Sequence, residues 1–117
     1  METKKNLLIV GDRVLIEPDE SMEKSSAGLY LPPTVKEKEK VQGGRVVKKG
    51  PGYPIPEPGA VEPWAKSPIR YFPLEAQEGD YAIFLRNEAI EIEFEGKKYV
   101  IVPHSSVLAL VRTDIVE

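Results

Sequence analysis

Proline and glycine interrupt this 117-residue chain so often that no long helix is expected over most of its length. Eleven prolines and nine glycines separate short runs of Val, Ile, Leu and Tyr, and no long stretch repeats apolar residues at the 3.6-residue spacing of a helix. Short apolar or alternating runs between turn residues are typical of β-strands. The sequence therefore predicts an all-β fold, and the length predicts a single domain over residues 1–117.

Seven runs are predicted as strands, and the clearest of them form a hairpin. In that hairpin Ile90, Ile92 and Phe94 alternate with glutamates, which predicts one apolar face and one acidic, solvated face. Glu95-Gly96 supplies its turn, and glycine-aspartate pairs at 11–12 and 79–80 are predicted as turns that precede strands. The predicted strands cover residues 7–10, 13–17, 44–48, 81–85, 90–94, 97–102 and 107–111.

Two long segments do not read as strands. Residues 18–40 are mostly polar and end in alternating lysines and glutamates, and only Leu29-Tyr30-Leu31 interrupts the polarity. Residues 50–79 hold seven of the eleven prolines, which excludes a regular helix or a central strand there. Loops of this length are unusual in a small domain and commonly serve a function.

Charge and composition narrow the functional classes. Sixteen basic and nineteen acidic residues give a net charge of −3, which argues against nucleic acid as a partner because phosphate binding needs clustered positive charge. The chain has no cysteine, which rules out disulfides and thiolate metal sites. No apolar run approaches the ~18 residues that span a bilayer, and the apolar run at 7–10 is too short for a signal-peptide core. These features predict a cytoplasmic protein that is not bound to a membrane.

No catalytic or cofactor-binding constellation is apparent in the sequence. His104 is the single histidine, and its neighbour Ser105 would point to the opposite face of an extended chain. A surface position in a turn is the expected role of His104. The glycines at 43–44 and 50–52 lack the lysine and the following helix of a phosphate-binding loop. We expect no enzyme activity, no metal and no cofactor.

Several sequence blocks, taken in order, resemble one family. The stretches GDRVLIEP at 11–18, SSAGLYLP at 25–32, GRVVKKGPG at 44–52 and GDYAIF at 79–84 are similar to those of GroES-type co-chaperonins, the 10 kDa chaperonin family. Residues 95–111 match the family's closing hairpin and final strand. The chain departs from the family in four places. Ala27 replaces the first of two glycines, and Tyr30 stands where an aliphatic residue is common. The segment at 50–79 is longer and richer in proline than the usual roof hairpin, and Ser105-Ser106 stand where an acidic residue is common.

The resemblance implies a small GroES-like β-barrel that assembles as a ring of seven subunits. Such a ring caps an ATP-dependent chaperonin and assists protein folding by closing its chamber. The family's subunit interface pairs the first strand of one subunit with the last strand of the next, as unpaired strand edges favour. An alternative is that the two strands pair within one barrel. The residues concerned are Leu7, Leu8, Ile9 and Val10 on one side and Leu108, Ala109, Leu110 and Val111 on the other.

The resemblance also assigns a flexible loop at about residues 18–34 to chaperonin binding. Gly28, Leu29, Tyr30 and Leu31 would enter an apolar groove on the large chaperonin in its nucleotide-bound state. Burial of one large side chain contributes roughly 1.5–3 kcal/mol, and ordering each backbone residue costs about 1–2 kcal/mol, so one loop binds weakly and several bind together. An alternative is that Leu29–Leu31 is a short strand that ends at Pro32.

The proline-rich segment at 50–79 has two interpretations. It covers or narrows the opening at the centre of the ring, or it is an ordered flap on its own barrel. The rival to the whole interpretation is a small β-barrel module that binds a peptide or nucleic acid and has no chaperonin partner.

Overall fold

The computed structural model describes residues 3–19, 40–55 and 70–114. Those residues form eight β-strands and two single-turn 3-10 helices at Arg86–Glu88 and His104–Ser106. No helix in these described ranges is long or apolar enough to cross a membrane. The strands are β1 Arg13–Pro18, β2 Val41–Lys49, β3 Tyr53–Ile55, β4 Arg70–Phe72, β5 Tyr81–Leu85, β6 Ile90–Phe94, β7 Lys97–Pro103 and β8 Val107–Val111.

Six of the strands form one antiparallel sheet in the order β6-β7-β1-β2-β5-β8, and β3 pairs only with β4. Side chains from β1, β2, β5 and β7 fill a common core together with Leu74 and Ala76. Ala89, just before β6, and Leu110 on β8 pack against the same core, although they belong to opposite ends of the sheet. The sheet therefore curls around a single core, which confirms the small all-β fold predicted from the sequence.

Six of the seven predicted strands are present. Those at 81–85, 90–94 and 107–111 have the predicted bounds, and those at 13–17, 44–48 and 97–102 are one to four residues longer. The strand predicted at 7–10 is wrong for the single chain, because these residues join no ladder in the sheets. A strand exists only where a second strand accepts and donates its backbone hydrogen bonds, and no described segment of the same chain does this for residues 7–10.

The predicted turns are confirmed by their backbone angles. Gly11 and Gly79 have φ values of 66° and 95°, in the left-handed region that glycine adopts readily. In the turn between β6 and β7, Glu95 and Gly96 have φ values of 51° and 80°. Two consecutive positive φ values match the right-handed twist of a two-residue hairpin, so this turn fixes the register of β6 on β7.

The β6–β7 hairpin presents its two faces in an unexpected way. Glu91 lies opposite Val100, which is part of the core. The exposed acidic row is therefore on the same side of the sheet as the core, but at the edge strand, outside the core itself. The apolar row lies on the outer side, where Ile90 is opposite Ile101 and remains 62% exposed. Alternation correctly separated the two rows, but neither row of β6 lies in the core: Ile92 and Phe94 are half-buried, and the glutamates are exposed.

The described ends of the proline-rich segment form a two-stranded arm. β3 and β4 pair Tyr53 with Phe72, and every residue of both strands is exposed. Two short strands without a third are at best marginally stable in water, so the attachment of the arm to the barrel is important. The base of the arm is held by Gly52, whose N–H donates to the Gly11 carbonyl over 3.0 Å.

Gly52 is a position where a side chain cannot be accommodated. Its φ is 117°, and a Cβ there would collide with the Phe72 carbonyl oxygen. We expect Gly52→Ala to lower the free energy of unfolding by about 2–4 kcal/mol, from backbone strain and the collision together. Gly96→Ala is the matched control, because Gly96 also has a positive φ but open space around it, and it should cost only ~1 kcal/mol. Urea unfolding measures both, and equal losses would contradict the close approach.

Candidate assembly and partner-binding interface

The apolar segment Leu7, Leu8, Ile9 and Val10 runs extended beside the sheet without joining it. Its position is fixed by Lys48, whose ammonium group donates to the Leu7 carbonyl over 2.8 Å and to the Asn6 side chain over 3.0 Å. Lys48 lies near the end of β2, so the segment is held next to that end of β2. The segment is therefore anchored at the Leu7 carbonyl, and residues 7–10 join no β-ladder within the described chain.

Burial along this segment alternates as in a strand. Leu7 and Ile9 are half-buried, whereas Leu8 and Val10 are 73% and 72% exposed. These are the highest exposures among the large apolar side chains in the described residues. Alternate residues of an extended chain share a side, so Leu8 and Val10 form one apolar strip that the single chain leaves uncovered.

The second predicted interface element, β8, is an edge strand. It pairs with β5 on one side only, and its other edge ends the sheet. Leu108 and Ala109 are exposed, and Leu110 and Val111 are half-buried. Residues 7–10 do not pair with β8 in the same chain, so the alternative in which both pair within one barrel is contradicted. Within the single chain, residues 7–10 and β8 therefore share no ladder, and they do not belong to the same core cluster.

A buried ion pair fixes the end of β8. The Arg112 side chain donates to both carboxylate oxygens of Asp80, over 2.8 Å from Nε and 2.7 Å from Nη2, and Nη2 also donates to the Glu75 carbonyl over 3.1 Å. The Gln77 N–H donates to the same carboxylate over 2.8 Å. The hydrogen bonds from Arg112 are the main reason why the pKa of Asp80 lies below its usual value, although burial opposes the shift. A fork-shaped pair of this kind is both strong and directional.

The sequence did not reveal this pair. Asp80 was interpreted only as part of a turn, and nothing local connects it to Arg112, which lies 32 residues further along the chain. An aspartate that follows a glycine is common in turns, whereas burial of its carboxylate becomes visible only in the fold. The pair joins the turn before β5 to the residue after β8 and so stabilises the edge strand.

The predicted chaperonin-binding residues Gly28, Leu29, Tyr30 and Leu31 lie outside the described residues. The two described ends of their connection are firmly placed. Pro18, at the end of β1, pairs with Gly44 of β2, and the Asp19 N–H donates to the Gly43 carbonyl over 2.8 Å. The connection 20–39 therefore leaves and re-enters the barrel from two adjacent, hydrogen-bonded strands.

Tyr81 reinforces this base from β5. Its hydroxyl donates to the Asp19 carboxylate over 3.2 Å, and its ring lies over Gly43, where a Cβ would collide with it. Tyr81 is 6% exposed, so the ring is a fixed part of the barrel wall. Gly43 therefore makes room for this ring. From the sequence, it was considered only as part of a glycine pair that does not match a phosphate-binding loop.

His104 occupies a turn, as predicted, and is half-buried. Its Nε2 accepts the Ala76 N–H at 3.4 Å, and its Nδ1 lies 3.5 Å from the Tyr53 hydroxyl. The Tyr53 and His104 rings meet edge to face, with centroids 6.4 Å apart. His104 therefore connects the β3–β4 arm to the barrel, which is a structural role that the sequence did not indicate.

Comparison with known proteins identifies the family. The sequence matches the family described as the chaperonin 10 kDa subunit over residues 6–111. This range includes both candidate interface elements and the predicted binding loop. The chain therefore belongs to the chaperonin 10 kDa subunit family and is a co-chaperonin.

Individual relatives agree with this assignment. The co-chaperonin GroES of Halalkalibacterium halodurans is 39% identical over 102 residues, which are 87% of this chain and 95% of that protein. Those of Listeria welshimeri and Geobacillus kaustophilus are 38% and 36% identical over 103 residues, which are 88% of this chain and 96% and 97% of theirs. Membership implies an oligomer that works with a GroEL-type chaperonin, and the family is one of non-enzymatic chaperones. It does not favour the rival module for peptide or nucleic acid binding.

Proposed function

We propose that the chain forms a seven-subunit ring that caps the nucleotide-bound state of a large chaperonin and closes its folding chamber in the cytoplasm. The ring has no catalytic activity of its own. The chaperonin hydrolyses the nucleotide, and the cap determines when the chamber is closed. The proposal rests on two apolar elements, residues 7–10 and the outer edge of β8, which pair with no strand among the described residues. It rests also on membership of this family.

Ring assembly follows from the geometry of these two elements. An uncovered apolar strip and an open strand edge on one molecule are complementary to each other but are not paired with each other. Two different surfaces that pair between copies make a head-to-tail contact, which closes into a ring when the rotation between subunits divides a full turn. Pairing also satisfies the backbone groups at the edge of β8, which would otherwise invite aggregation.

Binding to the chaperonin is assigned to the connection between β1 and β2. Leu29, Tyr30 and Leu31 are its apolar group, with Gly28 supplying backbone freedom at the bend. Each ring presents several copies of this group from bases held by the Asp19–Gly43 hydrogen bond and by Tyr81. A rigid base supports this mechanism. After the first loop has bound, the ring holds the other loops near their grooves, so they bind at a high effective concentration.

We assign the β3–β4 arm to the roof of the ring, as the resemblance to the family implies. Its exposed Tyr53, Ile55 and Phe72 suit burial against other arms at the centre of the ring. We expect deletion of residues 53–73 to widen the central opening while the ring and its capping activity persist. Electron microscopy of the capped complex measures the opening, and an unchanged diameter would reject the assignment of the arm to the roof.

Native mass spectrometry tests assembly and capping together. The chain alone should give a heptamer, and with a chaperonin and ATP the heptamer should transfer to the larger ring. A monomer that shifts nucleic acid in a salt-dependent manner in a gel would instead support the rival binding module.

A further inference from the structure

A β-bulge interrupts β8 at one residue. The β5–β8 ladder pairs Ile83 with Ala109 but Phe84 with Val107, which leaves Leu108 without a residue opposite it in β5. Val107 and Leu110 both pack against the core although they are three residues apart, whereas a regular strand places residues on one face at spacings of two. The extra residue in the bulge accounts for this change of phase.

The bulge determines where the Leu108 side chain goes. In an unbroken strand Leu108 would share the face of Leu110 and lie in the core. The bulge turns it outwards instead, and it is 56% exposed at the free edge of the sheet. Bulges commonly re-aim a side chain in this way. A leucine removed from an available core is costly in a single chain, which indicates that a second molecule covers it.

Residues 7–10 provide a surface that fits this side chain. Leu8 and Val10 project on the same side of an extended segment, and residues two apart are separated by roughly 6.5–7 Å along the chain. That gap accommodates one leucine side chain between them. Neither residues 7–10 nor residues 107–111 contain a charged side chain, so the two surfaces match in polarity.

We propose that Leu108 of each subunit inserts between Leu8 and Val10 of the next subunit, and that the bulge in β8 makes this contact possible. The inference rests on the proposed ring and identifies the side chain on which its cohesion depends. The covering molecule is a second copy of this chain. One projecting residue between two others also fixes the register of the intermolecular pair, because a slip by one residue would place Leu108 over the other side of the segment.

Single charge substitutions test the contact. Leu108→Lys and Leu8→Glu should each raise the dissociation constant of the subunit contact about 100-fold, because a large apolar side chain is lost and a charge faces an apolar surface. Native mass spectrometry at micromolar concentration should then show mainly monomers. The double variant Leu8→Glu/Leu108→Lys should recover the ring, since the two charges meet at every contact. Ile90→Lys is the matched control, because Ile90 is similarly exposed at the opposite edge of the sheet, and it should remain a ring.

The outcomes separate this inference from the proposed function. If the wild-type chain is monomeric, the ring itself is wrong. If the wild-type chain is a ring and Leu108→Lys leaves it intact, the Leu108 contact is wrong and the ring stands. Dissociation of Ile90→Lys, or failure of the double variant to reassemble with a native circular dichroism spectrum, would also overturn the specific pairing of Leu108 with Leu8.

Discussion

Replacing both Leu29 and Leu31 with aspartate should abolish nucleotide-dependent association with the chaperonin while the ring still assembles. Each substitution removes a large apolar side chain that would contribute roughly 1.5–3 kcal/mol on burial, and it also places a carboxylate in an apolar groove. The loss occurs in every subunit, so the combined binding of several loops falls steeply. Co-sedimentation with the chaperonin and ATP measures association, and native mass spectrometry of the variant alone confirms the ring.

A charge-matched variant shows whether the apolar group or the net charge of the loop is responsible. Ser25→Asp/Ser26→Asp adds the same two carboxylates to the same predicted loop outside the apolar group, and it should co-sediment nearly as well as the wild-type chain. If the leucine variant co-sediments normally, the assignment of Leu29 and Leu31 is wrong. Equal loss in both variants would point to the charge of the loop instead.

Removing the carboxylate of Asp80 should cause the largest loss of stability of any polar substitution proposed for this fold. Asp80→Ala removes a buried group that accepts from Arg112 and from the Gln77 N–H. We expect the free energy of unfolding to fall by about 2–3 kcal/mol, at the low end for a broken buried pair because the Arg112 side chain is 42% exposed and can turn to water. Chemical unfolding under conditions in which the oligomeric state is unchanged measures the difference.

Acid should remove the same stabilisation from the wild-type protein. The pKa of Asp80 is lowered in the folded state from its usual 3.8, so the ionised carboxylate stabilises the fold at any pH above that value. The contribution is lost as the pH falls below about 4 through the lowered folded-state pKa. The difference in unfolding free energy between the wild-type protein and Asp80→Ala should therefore narrow as the pH is lowered from 5.

The pair between Glu17 and Arg45 serves as the control for both measurements. It is also an arginine–carboxylate contact, at 3.3 Å, but its side chains are 42% and 62% exposed. Glu17→Ala should cost less than about 1 kcal/mol. A cost equal to that of Asp80→Ala, or a gap between Asp80→Ala and the wild-type protein that widens as the pH falls, would contradict the role assigned to the buried carboxylate.

The sequence predicted most strands because their patterns are local. Strands β5, β6 and β8 have short apolar or alternating runs between clear turn residues, and their bounds were correct. The prediction began β2 at residue 44 and missed residues 41–43, because Gly43 is unfavourable in a strand interior. Gly43 and Gly44 are there to allow close approaches, of the Tyr81 ring to the first and of Ile16 to the second. Such contacts depend on strands distant in sequence and cannot be predicted from the residues alone.

Residues 7–10 show a different limit. Their composition predicted a strand, but the sequence could not show that no described strand of the same chain pairs with it. The pattern of β8 likewise predicted an apolar strand, whereas the bulge that turns Leu108 outwards is visible only in the ladder. The pair between Asp80 and Arg112 was missed for the same reason. The candidate interface was therefore predicted as a set of residues, and its geometry required the fold.

The assignment of Gly28, Leu29, Tyr30 and Leu31 to chaperonin binding depends on motif resemblance and family membership. The structure adds the base on which their connection is mounted, between the Pro18–Gly44 pair and Tyr81. It also explains why the sequence between residues 20 and 39 can differ in composition from the barrel. Both ends are secured by backbone hydrogen bonds that do not depend on the intervening side chains.

Sedimentation of the wild-type chain with a purified chaperonin, with and without ATP, tests the central claim most directly. A co-chaperonin that caps the nucleotide-bound ring should appear in the heavy fraction with ATP, at one heptamer for each closed chamber, and should remain in the light fraction without nucleotide. A chain that stays in the light fraction under both conditions, with chaperonins that accept other members of the family, would contradict the capping function.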